Sequence, residues 1–160
     1  MIENSGFRFR FCFLLSFLIG NVLAGDDEIL RVFIFAGQSN MVGSDGKVED
    51  IERFPPFKGL GQVQKKVRFS YSIGREVVDE SKGWVELQPT SNNAVGPELS
   101  FARKVTGHID APIGIIKVAA GGTHLGGDWN PENPEGFKMF PLALEVIRKS
   151  LAELDKKKIP

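Results

Sequence analysis

Unbroken apolar stretches alternate along this chain with amphipathic ones. Residues 32–36 are five consecutive apolar residues, most of them β-favouring, and Gly37 follows them. Residues 113–119 form a second, largely apolar stretch, and Gly121 opens a loop soon after it. An apolar run of this length, closed by a turn signal, predicts a strand that is buried on both faces of a parallel sheet. We therefore expect two such strands.

Shorter patterns predict the other strands and the helices. Polar and apolar residues alternate at 66–71 and again at 84–87, which is typical of half-exposed strands. Residues 96–105 place apolar groups at helical spacing, with glycine before the first turn and proline inside it, and they predict a helix. A second helix is predicted at 140–157. Its inward face would carry five aliphatic residues: Leu142, Val146, Ile147, Leu151 and Leu154.

The order of these elements predicts the fold class. Strands that alternate with helices favour an α/β domain, with a mainly parallel sheet and helices on its faces. Glycine, proline and charged residues concentrate at 44–60, where we expect an irregular surface excursion, and turn residues concentrate at 130–136. The loops after Ala36 and Ala119 would share the carboxyl edge of the sheet, where ligands of such folds bind.

Ser39 is the candidate nucleophile. It follows Gly37 by two positions, so a sharp turn at that glycine would present the serine at the rim of the sheet. The small residues Gly37 and Gly43 would leave room there for a substrate. We interpret Ser39 as a nucleophile rather than as a structural turn serine.

Composition narrows the class of protein further. The 160 residues suit one domain with its own core, and the net charge of zero gives no basic excess for binding nucleic acid. No histidine pair has the spacing of metal ligands, and no long glycine pattern with lysine indicates a phosphate loop. We expect no metal and no cofactor.

Residues 1–24 are interpreted as a signal peptide. Arg8 and Arg10 precede an apolar stretch that ends in small residues, and the stretch is shorter than the about 20 residues that span a bilayer. A retained membrane anchor is the alternative. Cleavage would remove Cys12, the only cysteine, so the mature chain would have no disulfide and no thiol nucleophile. We expect a secreted or periplasmic protein with no stable membrane span after cleavage.

Three stretches, in order, are similar to the sequence blocks of one enzyme family. Residues 37–41 read Gly-Gln-Ser-Asn-Met, residues 96–102 read Gly-Pro-Glu-Leu-Ser-Phe-Ala, and residues 121–123 read Gly-Gly-Thr, with Trp129 beyond them. Together they resemble the N-terminal portion of the sialate O-acetylesterase-like (carbohydrate esterase) branch of the SGNH, or GDSL-type, hydrolases. Residues 25–160 would then be the N-terminal part of such an esterase domain.

The resemblance implies a flavodoxin-like three-layer sandwich, incomplete at the C-terminus, and hydrolysis of an acetylated carbohydrate or another small ester. Ser39 matches the family nucleophile, and the backbone N–H groups of Ser39 and Gly96 match two donors of the oxyanion hole. Neighbouring residues are candidates for substrate binding: Gln38, Asn40, Gly121, Gly122, Thr123, His124 and Trp129. The indole of Trp129 would stack on a sugar or pack on the core as a lid.

The chain also departs from the family pattern. It has neither the Gln-Gly-Glu block, which completes the oxyanion hole, nor the Asp-x-x-His block, which supplies the base. A serine hydroxyl without a base is a poor nucleophile, so we expect the chain as given to be inactive alone. The alternative is a truncated non-catalytic remnant or a carbohydrate-binding pseudoenzyme. We also expect the strand at 113–119 to have an unpaired edge.

The remaining polar candidates have ordinary structural interpretations. His108 follows a helix end, where histidine usually serves as a terminal cation. His124 is expected on the rim, either touching substrate or without a catalytic duty. The loop carboxylates of Asp45, Asp50 and Asp128 are expected to be solvated turn residues or helix caps.

Overall fold

Strands and helices follow one another in the order that the hydrophobic pattern predicts. A computed structural model describes residues 29–90 and 93–154. The predicted signal peptide, Cys12 and the last six residues lie outside that part of the chain. In order, the elements are β1 (Arg31–Gly37), α1 (Ser39–Val42), α2 (Val48–Ile51), a 3-10 turn (Pro55–Phe57), β2 (Gln64–Gly74), β3 (Val78–Glu80), β4 (Val85–Leu87), α3 (Pro97–Val105), β5 (Ile113–Ala119) and α4 (Met139–Leu154).

Five strands in the described part of the chain form one sheet, in the order β1-β5-β2-β3, with β4 also paired to β2. β1 and β2 both run parallel to β5, so Phe33, Ile115 and Phe69 lie side by side across three strands. β3 and β4 pair with β2 in the antiparallel sense. The sheet is open and its central strands are parallel, which confirms the predicted α/β class.

β5 is the central strand, and every residue of it is buried. Our expectation of an unpaired edge on this strand was wrong, because β1 covers one side of β5 and β2 the other. Within the described residues β1 pairs only with β5 and is half-exposed, with Ile34 54% exposed, so its predicted burial on both faces was also wrong. An apolar run indicates a strand but does not specify its place in the sheet.

Two layers of helices cover the two faces of the sheet. On one face, Leu99 and Ala102 of α3 pack on odd-numbered strand residues such as Phe69 and Ile115. The ring of Phe101 in α3 contacts Phe33 of β1 edge to face, with ring centroids 4.9 Å apart. On the other face, a smaller cluster joins β5 to α4 through four buried residues: Val118, Ala120, Met139 and Ala143. Helix, sheet and helix give the flavodoxin-like sandwich.

The inward face of α4 differs from the prediction. Its buried residues are Met139, Ala143 and Ser150, and Leu151 is 41% exposed. A buried polar contact explains why Ser150 faces the sheet. The Ser150 hydroxyl forms a hydrogen bond of 2.8 Å with the buried Ser70 hydroxyl of β2. The Ser150 carbonyl also accepts a bond from the Trp84 indole at 2.9 Å. A search for apolar residues at helical spacing therefore misses this side of the helix.

The segments that connect the predicted strands and helices contain more regular secondary structure than the sequence predicts. The predicted excursion at 44–60 contains α2 and the 3-10 turn, while 130–136 is turn and bend as expected. β2 is longer and more buried than the predicted strand at 66–71, and β3 was not predicted. Within residues 29–90 and 93–154, the length and hydropathy of every helix fall short of what crossing a membrane requires.

Candidate active site

Ser39 lies at the carboxyl edge of the sheet, as the first residue of α1. Directly before it, β1 ends at Gly37, which is in register with Ala119 at the end of β5. The Ala120 N–H donates to the Gly37 carbonyl at 3.1 Å and ties the two strand ends together. Gly37 does not have a positive φ. Glycine fits there because a Cβ would lie 3.0 Å from the Cβ of Met41 in the following turn.

Gly43 brings the Ser39 turn against the start of α3. It ends α1 in the left-handed conformation, with φ +85°, and its N–H donates to the Ser39 carbonyl at 3.0 Å. A Cβ at Gly43 would lie 2.5 Å from the carbonyl carbon of Val95 and 2.6 Å from the Gly96 nitrogen. The space that we expected Gly37 and Gly43 to leave for substrate is thus filled by the protein itself.

Gly96 is the buried N-terminal cap of α3. Its N–H has no acceptor among the described residues. Because Gly43 touches the Val95–Gly96 peptide, this donor and the Ser39 turn share one small region. The geometry brings the two predicted oxyanion donors to the same rim.

The loop after β5 completes this rim. A Cβ on Gly121 would lie 4.0 Å from the Cβ of Ser39, so the double-glycine turn contacts the turn that carries Ser39. Gln38 and Asn40 flank Ser39 and are both exposed. The Ser39 hydroxyl donates to the side-chain oxygen of Gln38 at 3.2 Å. Ser39, Gly96 and the turn at Gly121 therefore converge, although they come from three separate parts of the chain.

Asp128 organises the loop between β5 and α4. It is 3% exposed, and its carboxylate accepts hydrogen bonds from the N–H of Phe137 at 2.8 Å and of His124 at 3.0 Å. These two donors, Phe137 first, lower the pKa of Asp128 below its ordinary value of 3.8. Gly136 passes so close that a Cβ there would lie 2.6 Å from an Asp128 oxygen. The expectation of a solvated turn residue was wrong, because spacing does not reveal which loop carboxylate is enclosed.

Thr123 and Trp129 stabilise the same loop from inside. The buried Thr123 hydroxyl donates to the Ala120 carbonyl at 2.8 Å and accepts from the Trp129 indole N–H at 3.0 Å. The Trp129 ring packs against the cluster of Val118 and Met139. This packing favours the second of the two interpretations of Trp129, a lid on the core.

A family model described as carbohydrate esterase, sialic acid-specific acetylesterase, matches residues 29–158. The chain belongs to this family. The match covers the three sequence blocks as well as the rim that they build, and it confirms the resemblance drawn from the residues. A comparison with the curated proteins found no match.

One solved structure similar to this chain is an Arabidopsis thaliana protein determined by X-ray crystallography. The two are 20% identical, with a TM-score of 0.49. The alignment covers 77% of this chain and 51% of the plant protein, so the chain spans about half the length of that protein.

The described part of the chain contains no base bonded to Ser39. Among residues 29–90 and 93–154, no histidine or carboxylate is hydrogen-bonded to its hydroxyl. The His124 side chain is 72% exposed, and its ring lies 3.7 Å from Asp128. His108 contacts the Lys104 carbonyl through Nδ1 at 2.9 Å, as expected of a helix-terminal histidine. No group of side chains in the same residues has the composition of a metal site.

Two charged features of the site escaped the sequence analysis. The Arg75 guanidinium, beyond the end of β2, lies over the Phe137 ring at 4.8 Å and next to Gly122. Beneath Gly96, the Lys117 ammonium and the Glu98 carboxylate form an ion pair at 2.8 Å, with both side chains fully buried. Burial lowers the pKa of Lys117 from its ordinary value of 10.5, and the nearby Glu98 opposes this shift. The sequence signal that could have revealed this ion pair is Lys117, a single lysine inside an otherwise apolar strand.

Proposed function

We propose that this chain carries the nucleophile and oxyanion donors of a carbohydrate O-acetylesterase site, with Ser39 as the residue that accepts the acetyl group. The observation that supports this most directly is the contact of Gly43 with the Gly96 nitrogen. Through this contact, the hydroxyl at the start of α1 lies on the same rim as an N–H group that has no acceptor among the described residues. Membership in a carbohydrate esterase family agrees with this use of the rim.

The proposed reaction has two steps. In the first, Ser39 Oγ attacks the acetyl carbonyl carbon, and the oxygen that becomes negative is bound by the N–H groups of Ser39 and Gly96. The bond from the acetyl carbon to the sugar oxygen then breaks, and the sugar leaves as an alcohol that carries the proton lost by the Ser39 hydroxyl. In the second step, a water oxygen bonds to the acetyl carbon and the bond to Ser39 Oγ breaks. Ser39 Oγ takes up one proton of the water, and acetate and the other proton are released. Donors of this kind each contribute about 3 kcal/mol to lowering the barrier.

Substrate would bind across the exposed rim residues. Gln38 and Asn40, next to Ser39 in the chain, offer exposed amide groups, and His124 in the loop after β5 offers an exposed imidazole. Gly121 and Gly122 leave the backbone accessible between them. Thr123 and Trp129 would act indirectly, because their polar atoms are already bonded to each other. An acetylated carbohydrate is the proposed substrate class, and acetylated sialic acids and xylans both fall within it.

The absence of a bonded base within the described residues favours slow turnover. We therefore propose that this chain accepts an acetyl group from an activated ester but turns it over poorly by itself. A carbohydrate-binding protein without catalysis is the second candidate function. It is favoured by the single bond of the Ser39 hydroxyl to its neighbour Gln38.

Site-resolved acetylation separates the two candidates. The protein is incubated with p-nitrophenyl acetate at mildly alkaline pH, and acetylated peptides are quantified by mass spectrometry. Ser44 and Ser100 are exposed serines of the same chain and serve as internal controls. We expect Ser39 to be acetylated at least about tenfold faster than either, because only Ser39 has oxyanion donors beside it. The Ser39→Ala variant should keep the background reaction at the other two serines.

Two results would contradict this proposal. Equal acetylation of Ser39, Ser44 and Ser100 would rule out an oxyanion site at Ser39 and favour the binding protein. Ser39-dependent release of p-nitrophenolate over many turnovers, well above the rate with free imidazole, would contradict poor turnover and show that the chain supplies a base.

We also propose that residues 1–24 direct export and are removed, which would make the protein secreted or periplasmic. The support is the sequence pattern of Arg8, Arg10 and the apolar stretch after them. Expression of the whole chain in a bacterium, followed by fractionation and N-terminal sequencing, tests this. The expected product outside the cytoplasm begins near residue 25. An uncleaved chain in the membrane fraction would favour the anchor.

A further inference from the structure

A fully buried ion pair lies directly under one of the proposed oxyanion donors. A Cβ built on Gly96 would come within 2.5 Å of Lys117 Nζ and still closer to a Glu98 oxygen. Lys117 belongs to the central strand β5 and Glu98 to the first turn of α3. Burying two charges is costly, and their attraction often does no more than offset that cost. Stability alone is therefore a weak reason for this pair.

The Lys117 ammonium also reaches the turn that carries Ser39. Its Nζ donates to the Val42 carbonyl at 3.3 Å, at the end of α1. The same nitrogen lies 2.8 Å from Glu98 Oε2. One ammonium group on the central strand thus holds the end of the nucleophile turn and the start of α3. Between these two points lies the contact of Gly43 with the Gly96 nitrogen.

Both carboxylate oxygens of Glu98 are buried, and among the described residues the Lys117 ammonium is the cation that pairs with them. The carboxylate is therefore held by the charge of Lys117. The ion pair carries no net charge. It therefore influences a developing oxyanion by holding the surrounding backbone in place rather than by attracting the negative charge. Moving either partner would shift the peptide at Gly96 or the one at Val42.

We propose that Lys117, anchored by Glu98, is a positioning residue that sets the distance between Ser39 and the Gly96 N–H. This inference rests on the proposed function, which gives that distance its catalytic meaning. It assigns a role to Lys117, which lies outside the three sequence blocks, and to Glu98, which lies inside the second block. A misplacement of about 1 Å in a reactive arrangement costs up to about a hundredfold in rate. The pair therefore acts on the rate of acyl transfer to Ser39 and leaves ester binding at the exposed rim unchanged.

The test replaces the charge pair by an apolar pair of similar size, Glu98→Met with Lys117→Met, in the full chain. Such replacements commonly preserve stability, whereas removing one partner leaves a buried charge and endangers folding. The control is Ile116→Val, which trims a buried residue on the opposite face of β5. Ser39 acetylation by p-nitrophenyl acetate is measured across ester concentrations, with folding checked by circular dichroism.

We expect the maximal rate of Ser39 acetylation in the double variant to fall at least about tenfold, with the half-saturating ester concentration unchanged. The Ile116→Val control should keep the rate of the native chain. A folded double variant that acetylates Ser39 as fast as the control would overturn the proposal, because the pair would then be only structural.

A second measurement keeps the inference separate from the proposed function. If the native chain shows no selective acetylation of Ser39, the proposed function fails, and the backbone amides still report on position. In that case NMR spectra of the native and double-variant chains are compared at Gly96 and Val42. Displaced amide shifts and faster hydrogen exchange at both residues, relative to Ile116→Val, support the positioning role. Unchanged amides at both residues overturn it.

Discussion

At the scale of single residues, the site depends on glycines at positions where other parts of the chain occupy the space that a side chain would need. Gly43 accommodates the Val95–Gly96 peptide, and Gly96 lies over the Glu98 carboxylate and the Lys117 ammonium. Glycine is needed at these two positions because neighbouring atoms come too close for a side chain, as much as because of its backbone freedom. The sequence blocks include Gly96 but not Gly43 or Lys117, so the blocks alone do not explain why the rim holds together.

Gly43→Ala tests the contact between the Ser39 turn and the start of α3. The left-handed φ alone costs about 1–2 kcal/mol for an alanine, and the Cβ would also collide with the Val95 carbonyl carbon. We expect a loss in the free energy of unfolding well above that range, measured by urea denaturation. The matched control is Gly59→Ala, which has φ +73° but meets only the flexible Gln62 side chain at 3.8 Å. Equal losses in the two variants would mean that the backbone contact is unimportant.

Lys117→Met alone tests the cost of an unpaired buried charge. The Glu98 carboxylate would be left fully buried without its partner, which typically costs about 3–5 kcal/mol. The double replacement by methionine should recover most of that loss, because no charge remains buried. Urea denaturation of the two variants gives the comparison. A single variant as stable as the native chain would show that water reaches Glu98.

At the scale of elements, the loop between β5 and α4 is built around one carboxylate rather than around an apolar contact. Asp128 accepts N–H groups from both ends of the loop, at His124 and Phe137. The loop carries the double-glycine turn toward Ser39 and covers the cluster beneath Trp129. Its shape at the rim therefore depends on the ionised form of Asp128.

This dependence predicts a loss of loop order in acid. Because the pKa of Asp128 in the folded state lies below 3.8, its contribution to stability is complete above that pH and declines as the pH falls through the lowered pKa. We expect hydrogen exchange at the His124 and Phe137 amides to accelerate in that window, after correction for intrinsic rates. In Asp128→Asn the same amides should exchange faster already at neutral pH, by at least about tenfold, without the acid step. An acid step retained in the variant would assign the titration to another group.

At the scale of the whole molecule, β1 has one free side within the described residues. The strand carries the Ser39 turn at its carboxyl end. Its Ile34 side chain lies on the same face of the sheet as α4 and is nevertheless 54% exposed. Open strand edges with apolar residues favour pairing between chains. The Ser39 turn is thus attached to a strand that, within the described residues, is paired on one side only.

We expect the chain to associate through β1 as its concentration rises. Ile34→Lys places a charge beside the open edge and should increase the monomer fraction in light scattering, while the free energy of unfolding changes by no more than about 0.5 kcal/mol. Val78→Lys, on the other edge strand β3, is the control for an added charge at a half-exposed apolar residue. Equal effects of the two changes would indicate general solubility rather than pairing through β1.

The sequence by itself determined the local features of this protein. Hydrophobic period and turn residues specified β1, β5, α3 and α4, and the three blocks identified the family, because these signals lie within a few neighbouring positions. Only the tertiary structure decided that β5 lies between β1 and β2, that β1 pairs with β5 alone among the described strands, and that Asp128 and Lys117 are enclosed. Strand order and burial depend on which distant segments pack together, and the sequence of one segment does not reveal which other segments it contacts.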